Sequence, residues 1–461
     1  MLKRYIGDRA LYSRVLKIAI PIVIQNTITN FVALLDNIMV GQVGTQQMSG
    51  VTIANQLILI FNVCLFGACA SAGIFSAQFH GSQDHEGVRS THRFKLVVCS
   101  VLAILAISIF LLFGQPLIGL YLKGEGDPMD AALTLGHGMS YLRIMLIGFI
   151  PFALSNAYAS SLRETGKTVV PMVAGICAVF VNLFFNYVLI FGHFGAPQMG
   201  VRGAALATTL SRFVELAIVA GWTHWNPDKN PFVKGLYHSL HIPHTLFINI
   251  SKKGLPLLLN EVFWSLGVAM TTQCLSTCGL DTVPAMNINS TIYNLGNVFG
   301  MAMGSVVGII MGQMMGAGKT PEEIRDTNRK ILTATVLIAI FFGTILIGFS
   351  HLFPMLYNTS DAIRDLSTTL IRISAVIMPF SAYAISIYFT LRSGGKTLIT
   401  LLVDGGYLFF VCLPFTFFLC HFTSLPFVVI YALSRSTDIL RCVLGLCLLR
   451  KSKWIQDLTK V

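Results

Sequence analysis

Charged residues are scarce in this sequence of 461 residues. Only 11% of them are Asp, Glu, Lys or Arg, while 54% are hydrophobic; an ordinary soluble domain carries roughly 25% charged residues. A surface that faces water needs about a quarter to a third charged residues, which 32 basic and 20 acidic side chains cannot supply for a chain of this length. The shortage of charge excludes a water-soluble globular protein and predicts that most of the surface meets lipid.

The sequence also lacks the usual marks of a metal, disulfide or nucleotide site. Its ten cysteines include no Cys-x-x-Cys pair and lie mostly in apolar stretches, so we interpret them as small packing residues. The Gly-Lys-Thr tripeptides at 166–168 and 395–397 lack the glycine that a phosphate-binding loop requires five residues earlier, because Ser161 and Thr390 occupy those positions. We therefore expect no cofactor and no enzyme active site.

Long apolar stretches are abundant instead. A helix needs about 20 residues to cross a hydrocarbon core of roughly 30 Å, and twelve stretches are long enough. They cover residues 15–40, 48–79, 96–119, 132–158, 168–191, 200–222, 255–279, 284–315, 331–351, 366–390, 397–420 and 424–449. We predict an all-α membrane protein with twelve transmembrane helices, the first of which is too long for a signal peptide and is retained.

The basic residues of the loops concentrate on one side of the predicted spans. The basic connections are the N-terminus, 80–95, 159–167, 223–254, 316–330, 391–396 and the C-terminus. The opposite connections carry only Lys123, Arg202 and Arg364. By the positive-inside rule both termini are cytoplasmic and the protein lies in the cell (plasma) membrane. Orientation also explains the net charge of +12 without a nucleic-acid partner.

The chain contains an internal repeat. A shift of 235 residues aligns, without a gap, Pro21 with Pro256, Gly44 with Gly279, Gly73 with Gly308, Gln78 with Gln313 and Gly81 with Gly316. Six spans per copy is an even number, so a pseudo-two-fold axis along the membrane normal should relate two six-helix lobes. We predict an N-terminal lobe at 1–222, a cytoplasmic linker at 223–254 and a C-terminal lobe at 255–461. This architecture is typical of an alternating-access carrier, although channels and receptors can also be duplicated.

Five acidic residues fall inside predicted spans, where each needs a partner or a function. Two have an opposite charge three residues away, on the same helix face: Glu215 with Arg212, and Asp438 with Arg435 and Arg441. The other three, Asp36, Glu261 and Asp404, have no such local partner. We expect these three to be neutral, to pair with a distant cation, or to bind a cation that moves.

Polar residues of other spans lie at the depth of Asp36. At about 1.5 Å per residue, Asp36 and Asn186 both lie roughly 28 Å from the cytoplasmic end. Asn182 lies one turn below Asn186 on the same face, and Thr208 lies about 12 Å below the outer surface. The four oxygen ligands suit a hard cation such as sodium, and the carboxylate could instead take a proton. Alternatively, Asn182 and Asn186 only bond neighbouring helices.

A second acidic pair is predicted in the C-terminal lobe. Glu261 and Asp404 each follow a lysine by eight residues, so both lie about 12 Å from the cytoplasmic end. Their spans are the first and fifth of the second repeat, so they should be neighbours. Two close carboxylates cannot both ionise cheaply, which makes the pair a candidate for cation coupling or substrate binding. Alternatively, the pair is structural and bonds to Asn260 or Tyr407.

The sequence resembles the multidrug and toxic compound extrusion family. The likeness covers the whole chain and rests on the Asp-Asn-Ile-Met-Val-Gly-Gln-Val-Gly-Thr stretch at 36–45, the Leu-Arg-x-x-Gly-Lys-Thr turn at 162–168, and the Gly-Val-Arg-Gly-Ala-Ala-Leu-Ala-Thr stretch at 200–208. The resemblance implies a two-lobed, twelve-helix carrier in which the acid at Asp36 is central to ion coupling. It also implies that the fifth-span residues Asn182 and Asn186 and the sixth-span Thr208 take part. The sequence departs from some members at Asn186, where they have an aspartate.

We therefore expect a monomeric antiporter that exports amphipathic, often cationic organic compounds in exchange for sodium or protons. The alternative is a flippase for lipid-linked saccharides from the same superfamily, which would line its cleft with cations for the pyrophosphate. A channel or a passive receptor is a further alternative. The expected partners are small organic substrates and the lipid bilayer.

Overall fold

A computed structural model describes residues 5–122, 128–279, 281–357, 359–450 and 452–460. In these ranges the regular structure is helical, and twelve long helices dominate it. We number them α1 (Arg9–Gly41), α2 (Thr45–Gly81), α3 (His85–Tyr121), α4 (Pro128–Glu164), α5 (Val169–Phe191), α6 (Val201–Trp225), α7 (His244–Ser276), α8 (Thr282–Gly316), α9 (Pro321–Phe349), α10 (Asp361–Ser393), α11 (Thr397–Phe422) and α12 (Phe427–Arg450).

The length and composition of these helices confirm the predicted membrane fold. Helices α1 to α11 are long and apolar enough to cross a bilayer. Helix α12 has 24 residues, or about 36 Å, but carries the internal charges of Arg435, Asp438 and Arg441. Large apolar side chains face outward, including Leu112 (74% exposed) and Phe410 (62% exposed). A water-soluble protein could not expose so many of them, whereas lipid solvates them.

Several helices extend beyond the apolar stretches that predicted them. Helix α3 begins at His85 rather than at residue 96, because a hydropathy scan detects only the part within the hydrocarbon. The extension buries Lys95, which forms an ion pair with Glu164 of α4 and donates to the hydroxyls of Ser160 and Ser161 at 3.1 and 3.2 Å. These residues, assigned to loops from the sequence, lie in packed helices.

By contacts, the chain divides into two units. The first unit comprises Ile24–Ser76 and His85–Phe247. Here α6 packs on α4 and α5, and α3 packs on α4. The predicted linker folds onto this unit, because Arg93 of α3 donates to the carbonyl oxygens of Leu236 at 3.0 Å and of Gly235 at 2.9 Å.

The second unit comprises the described residues of Met1–Val23, Ala77–Asp84 and Ile248–Val461. In this unit α10 packs on α8, α9 and α12. Its core includes Val306, Ile310 and Met311, all fully buried, and the lower part of α1 packs against them. Helix α1 thus contributes residues to both units, and the lobe boundaries inferred from the repeat stay a prediction.

The two halves repeat backbone conformations at matched positions. Matched pairs with positive φ are Gly44 (149°) with Gly279 (156°), Gly166 (80°) with Gly395 (71°), and Gln83 (62°) with Gly318 (67°). Such conformations favour glycine because it has no Cβ. Gln83 is therefore the strained member of its pair.

Candidate functional site

The four polar residues predicted to meet near Asp36 form one hydrogen-bonded chain in the first unit. The Asn186 amide donates to Asp36 Oδ1 at 2.6 Å and to Asn182 Oδ1 at 3.1 Å. The Asn182 amide in turn contacts Thr208 Oγ1 at 3.1 Å. Helix α1 supplies the carboxylate, α5 supplies both amides from successive turns of one face, and α6 supplies the hydroxyl.

The orientation of the Asn182 amide determines how many donors reach the carboxylate. With its nitrogen and oxygen exchanged, its nitrogen donates to Asp36 Oδ1 at 2.9 Å and to Oδ2 at 3.1 Å, and its oxygen accepts from Thr208 at 3.1 Å. Amide orientation follows from the hydrogen-bond network, and this one satisfies both ends of Asn182. It replaces the bond from Asn186 to Asn182 Oδ1, because the two amide nitrogens then lie 3.1 Å apart. Two neutral amides then hold the carboxylate.

The Asp36 carboxylate is held by neutral donors and not by an ion pair in the described part of the chain. Among the residues that the structure describes, it forms no ion pair with Lys, Arg or His. Arg212 of α6 instead pairs with Glu215 at 3.1 Å, which confirms the predicted local pair, and lies 4.5 Å from the ring centroid of Phe152. Neutral donors orient a carboxylate without neutralising it.

A buried oxygen next to Asp36 lacks a partner. Asn186 is 1% exposed, and its Oδ1 accepts no hydrogen bond within the described part of the chain. Leaving a buried acceptor unsatisfied costs about 1–3 kcal/mol, so this oxygen is a ready ligand. Carboxylate, amide and hydroxyl oxygens are the donors that hard cations prefer. The arrangement can hold a small cation, or a proton on the carboxylate.

A small aromatic cavity adjoins this cluster in the first unit. It encloses about 50 Å³ between α2, α4 and α6 and is lined by Phe61, Phe149 and Phe152, with the Phe61 and Phe149 rings stacked 4.3 Å apart. The Oδ1 of Asn62 is buried here and has no hydrogen-bond partner among the described residues, and Arg212 forms part of the wall. Sequence reasoning missed these residues, because aromatic side chains in an apolar span carry no spacing signal.

Asp404 pairs with a distant cation, which is one of the three possibilities that the sequence left open. Asp404 forms an ion pair with Arg441 of α12 and accepts from Asn260 Nδ2 at 2.8 Å. Arg441 also donates to the Val403 carbonyl at 3.1 Å, while Asp438, its predicted partner, lies at 3.9 Å. A search for partners within one helix could not find an arginine on another helix. The pairing removes the reason for assigning a travelling cation to Asp404.

The predicted continuous helix at 397–420 is broken at this ion pair. Asp404 has φ −109° and ψ −93°, outside the helical region, and a wide π-helical turn follows at Leu408–Cys412. The Gly405 amide, freed by the break, donates to Asn260 Oδ1 at 2.8 Å. Side chains therefore replace the lost backbone hydrogen bonds, as a break within a membrane requires.

Glu261 and Tyr407 are the other candidates of the second unit. Glu261 is half-buried and lies close to Asn260 and Tyr388. Tyr407 donates to the Thr437 carbonyl at 3.0 Å, whereas Asn260 bonds Asp404, so of the two structural partners predicted for the acids it is Asn260 that Asp404 contacts. The assignment of Glu261 to coupling or substrate binding stays a prediction.

Comparisons with known proteins agree with the duplicated fold. The MatE family model matches residues 21–188 and 256–421, once in each half. The chain is 24% identical over 441 residues to the probable multidrug resistance protein NorM of Thermotoga maritima, covering 95% of this chain and 92% of that protein. It is 26% identical over 422 residues to a protein of the same name from Oceanobacillus iheyensis, covering 89% and 90%.

Solved structures are similar over nearly the whole chain. A structure of the Vibrio cholerae MATE transporter VcmN matches with a TM-score of 0.84 at 18% identity, covering 96% of this chain and 97% of that one. A MOP superfamily transporter from Pyrococcus furiosus matches with a TM-score of 0.81 at 18% identity, covering 98% of both chains. At this identity the structural similarity supports the fold alone.

Proposed function

The chain belongs to the MatE family of multidrug and toxic compound extrusion transporters, and from this premise we propose that it exports amphipathic organic compounds in exchange for sodium or a proton bound at Asp36. A member of this family is a membrane transporter and not an enzyme. The multidrug resistance names of the relatives from Thermotoga maritima and Oceanobacillus iheyensis support the substrate class.

One observation carries the proposal. Asp36 is held by neutral amides without an ion pair, beside an Asn186 oxygen that has no partner among the described residues. An ionisable group inside a membrane helix is costly unless something compensates its charge. A cation that binds and leaves would compensate the charge for part of the cycle, which is what an exchanger requires.

The cation site and the aromatic cavity share helix α6. Thr208 of the cation cluster and Arg212 of the cavity wall lie four residues apart, on one face of that helix. A cation that draws Asp36, Asn182 and Thr208 together would therefore shift the wall of the cavity. We infer that cation binding and substrate binding compete through this shift, because a ligand changes an equilibrium only through its different affinity for the two states.

The aromatic cavity suits a substrate class rather than one substrate. Stacked phenylalanine rings offer apolar contact to flat organic molecules. The Asn62 oxygen, which has no partner in the part of the chain that the structure describes, can accept one hydrogen bond. A volume of about 50 Å³ is too small for a drug-sized molecule, for which pockets of about 300–1,000 Å³ are usual. The cavity must therefore widen when substrate enters.

The predicted orientation belongs to the same proposal. With the basic connections inside, both termini of a plasma-membrane monomer are cytoplasmic. Asp36 then lies in the outer half of the first unit, where an external cation can reach it.

Reconstituted protein tests the proposal. We expect proteoliposomes to move ethidium under either an imposed sodium gradient or an imposed proton gradient, applied separately. The gradient that drives transport identifies the coupling ion. Asp36→Asn should abolish this transport, because the amide cannot carry the charge that holds the cation.

A matched control separates coupling from loss of folding. Asp365→Asn removes an exposed acid from the end of α10 and should transport normally. Equal transport by the Asp36 variant and this control would refute the proposal. Binding of a lipid pyrophosphate, without any response to dyes or cation gradients, would favour the flippase alternative.

A further inference from the structure

A second, larger cavity lies in the second unit, away from the cation site. It has a volume of about 590 Å³ and is walled by α9, α10 and α12, with an aromatic residue from each end of the chain, Tyr5 and Trp454. Its residues play no part in the exchange proposed above.

Three arginines line one end of this cavity. They are Arg325 and Arg329 of α9 and Arg450 at the end of α12, and none of them forms an ion pair within the described ranges. Arg325 donates to the Pro321 carbonyl of its own helix at 3.2 Å, and the Arg329 guanidinium lies 5.9 Å from the Tyr5 ring centroid.

The neighbouring lysines of the same region are paired. Lys319 lies 3.9 Å from Glu323, and Lys330 lies 2.6 Å from Asp326. The arginines that line the cavity therefore form no ion pair within the described ranges, whereas the two lysines beside it do. Positive charge concentrated at one end of a cavity favours an anionic ligand.

The rest of the wall is mostly apolar, with the polar side chains of Asn328, Thr333 and Tyr383 among it. Its leucine and valine side chains come from α9 and α12: Leu332, Val336, Leu337, Leu446 and Leu449. Along α9, Arg325 and Arg329 lie about 6 and 12 Å from the first residue of the helix, while Val336 lies about 22 Å from it. The cavity thus runs from a cationic entrance at the predicted cytoplasmic surface to an apolar wall at the depth of the acyl chains.

We propose that this cavity binds an anionic phospholipid of the inner leaflet. The phosphate would accept hydrogen bonds from Arg325, Arg329 and Arg450, since guanidinium groups match phosphate oxygens in geometry and charge. One acyl chain would lie along the leucines, and Tyr5 and Trp454 are placed where aromatic side chains prefer the membrane interface. Basic pockets between membrane helices bind such head groups in this way.

The alternatives fit the cavity less well. A free phosphate ion would fill only the arginine end and would leave the apolar wall uncovered. A cationic drug would meet three positive charges that no acid of the described chain neutralises. The combination of charge and apolar depth favours a lipid.

Native mass spectrometry of the purified full chain in detergent tests the proposal. We expect dioleoyl phosphatidylglycerol to bind at least fivefold more tightly than dioleoyl phosphatidylcholine. In the triple variant Arg325→Gln, Arg329→Gln, Arg450→Gln this preference should fall below twofold. A triple variant that keeps the fivefold preference would overturn the proposal.

The control variant Lys319→Gln, Lys330→Gln, Lys234→Gln removes the same charge outside the cavity and should keep the preference. Both variants must first show the wild-type melting temperature without lipid. If the arginine variant does not, single arginine variants replace it. Each of these should lower the preference for phosphatidylglycerol. An equal loss in the control would make the effect one of net charge and overturn the site. Displacement of the lipid by millimolar inorganic phosphate would also overturn it, because an ion site needs no acyl chain.

Discussion

Two aspartates buried in membrane helices have opposite surroundings. Asp36 is held by neutral amides, whereas Asp404 is paired with Arg441. A carboxylate whose charge is cancelled by an arginine gains little from a mobile cation, while one without a counter-charge gains most. This difference is the reason that we propose ion exchange at Asp36 and a structural role for Asp404.

The structural role of Asp404 predicts an asymmetric loss of stability. Arg441→Met leaves a mostly buried carboxylate unpaired, which should destabilise the protein by about 3 kcal/mol. Asp404→Leu combined with Arg441→Met removes both charges and should recover most of the loss. Thermal unfolding in detergent measures both variants, and a double variant no more stable than the single one would contradict the assignment.

Sequence reasoning located polar residues by depth and by spacing within a helix. It placed Asp36, Asn182, Asn186 and Thr208 at one level, because height along a helix follows from residue number. It could not pair Asp404 with Arg441, since the two lie 37 positions apart in the chain and on different helices. Which helices face each other is a property of packing that no local pattern contains.

The sequence predicted the helices wherever contact with lipid requires a long apolar stretch. The twelve apolar stretches correspond to α1 through α12, because a bilayer leaves the backbone few alternatives to a helix. The ends of α3 and the break in α11 were not predictable. Packed polar side chains determine both, through Lys95 in α3 and Asn260 beside Asp404.

The repeated turns after α2 and α8 can be tested by exchanging the residues that hold their left-handed conformation. Gln83 and Gly318 hold the same left-handed conformation at matched positions, which strains a residue with a Cβ by roughly 1–2 kcal/mol. Gly318→Gln should therefore destabilise the protein by about 1 kcal/mol. Gln83→Gly should stabilise it or leave it unchanged, because relief of strain offsets the added freedom of the unfolded chain. Melting temperatures that shift in the reverse order would contradict this account.

In the second unit the C-terminal ends of α2 and α8 cross with their backbones in close contact. A Cβ on Gly81 would overlap the carbonyl of Gln313, and a Cβ on Gly316 would overlap the carbonyl of Gln78. The contact is reciprocal, as the repeat requires. The C-terminal segment reinforces it, because the Gln78 amide donates to the carbonyl of Gln456 at 3.0 Å.

This crossing predicts a strong effect from a single methyl group. Gly316→Ala should destabilise the protein by about 1–3 kcal/mol, because backbone atoms cannot yield to the new Cβ. Gly348→Ala is the matched control, since that helical glycine has open space around its Cβ position, and it should be neutral or stabilising by up to about 1 kcal/mol. Unfolding measured in the same detergent compares them, and equal stability of the two variants would contradict the crossing.

We propose that a cation binds at Asp36 and moves inward whenever a substrate moves outward. The most direct test measures both movements together in proteoliposomes, recording dye export with the simultaneous entry of sodium or protons. We predict a fixed ratio of cation to dye for the wild-type protein and the Asp365→Asn control, and neither movement for Asp36→Asn. Dye export by the Asp36→Asn protein with the wild-type ratio of cation entry would contradict the account.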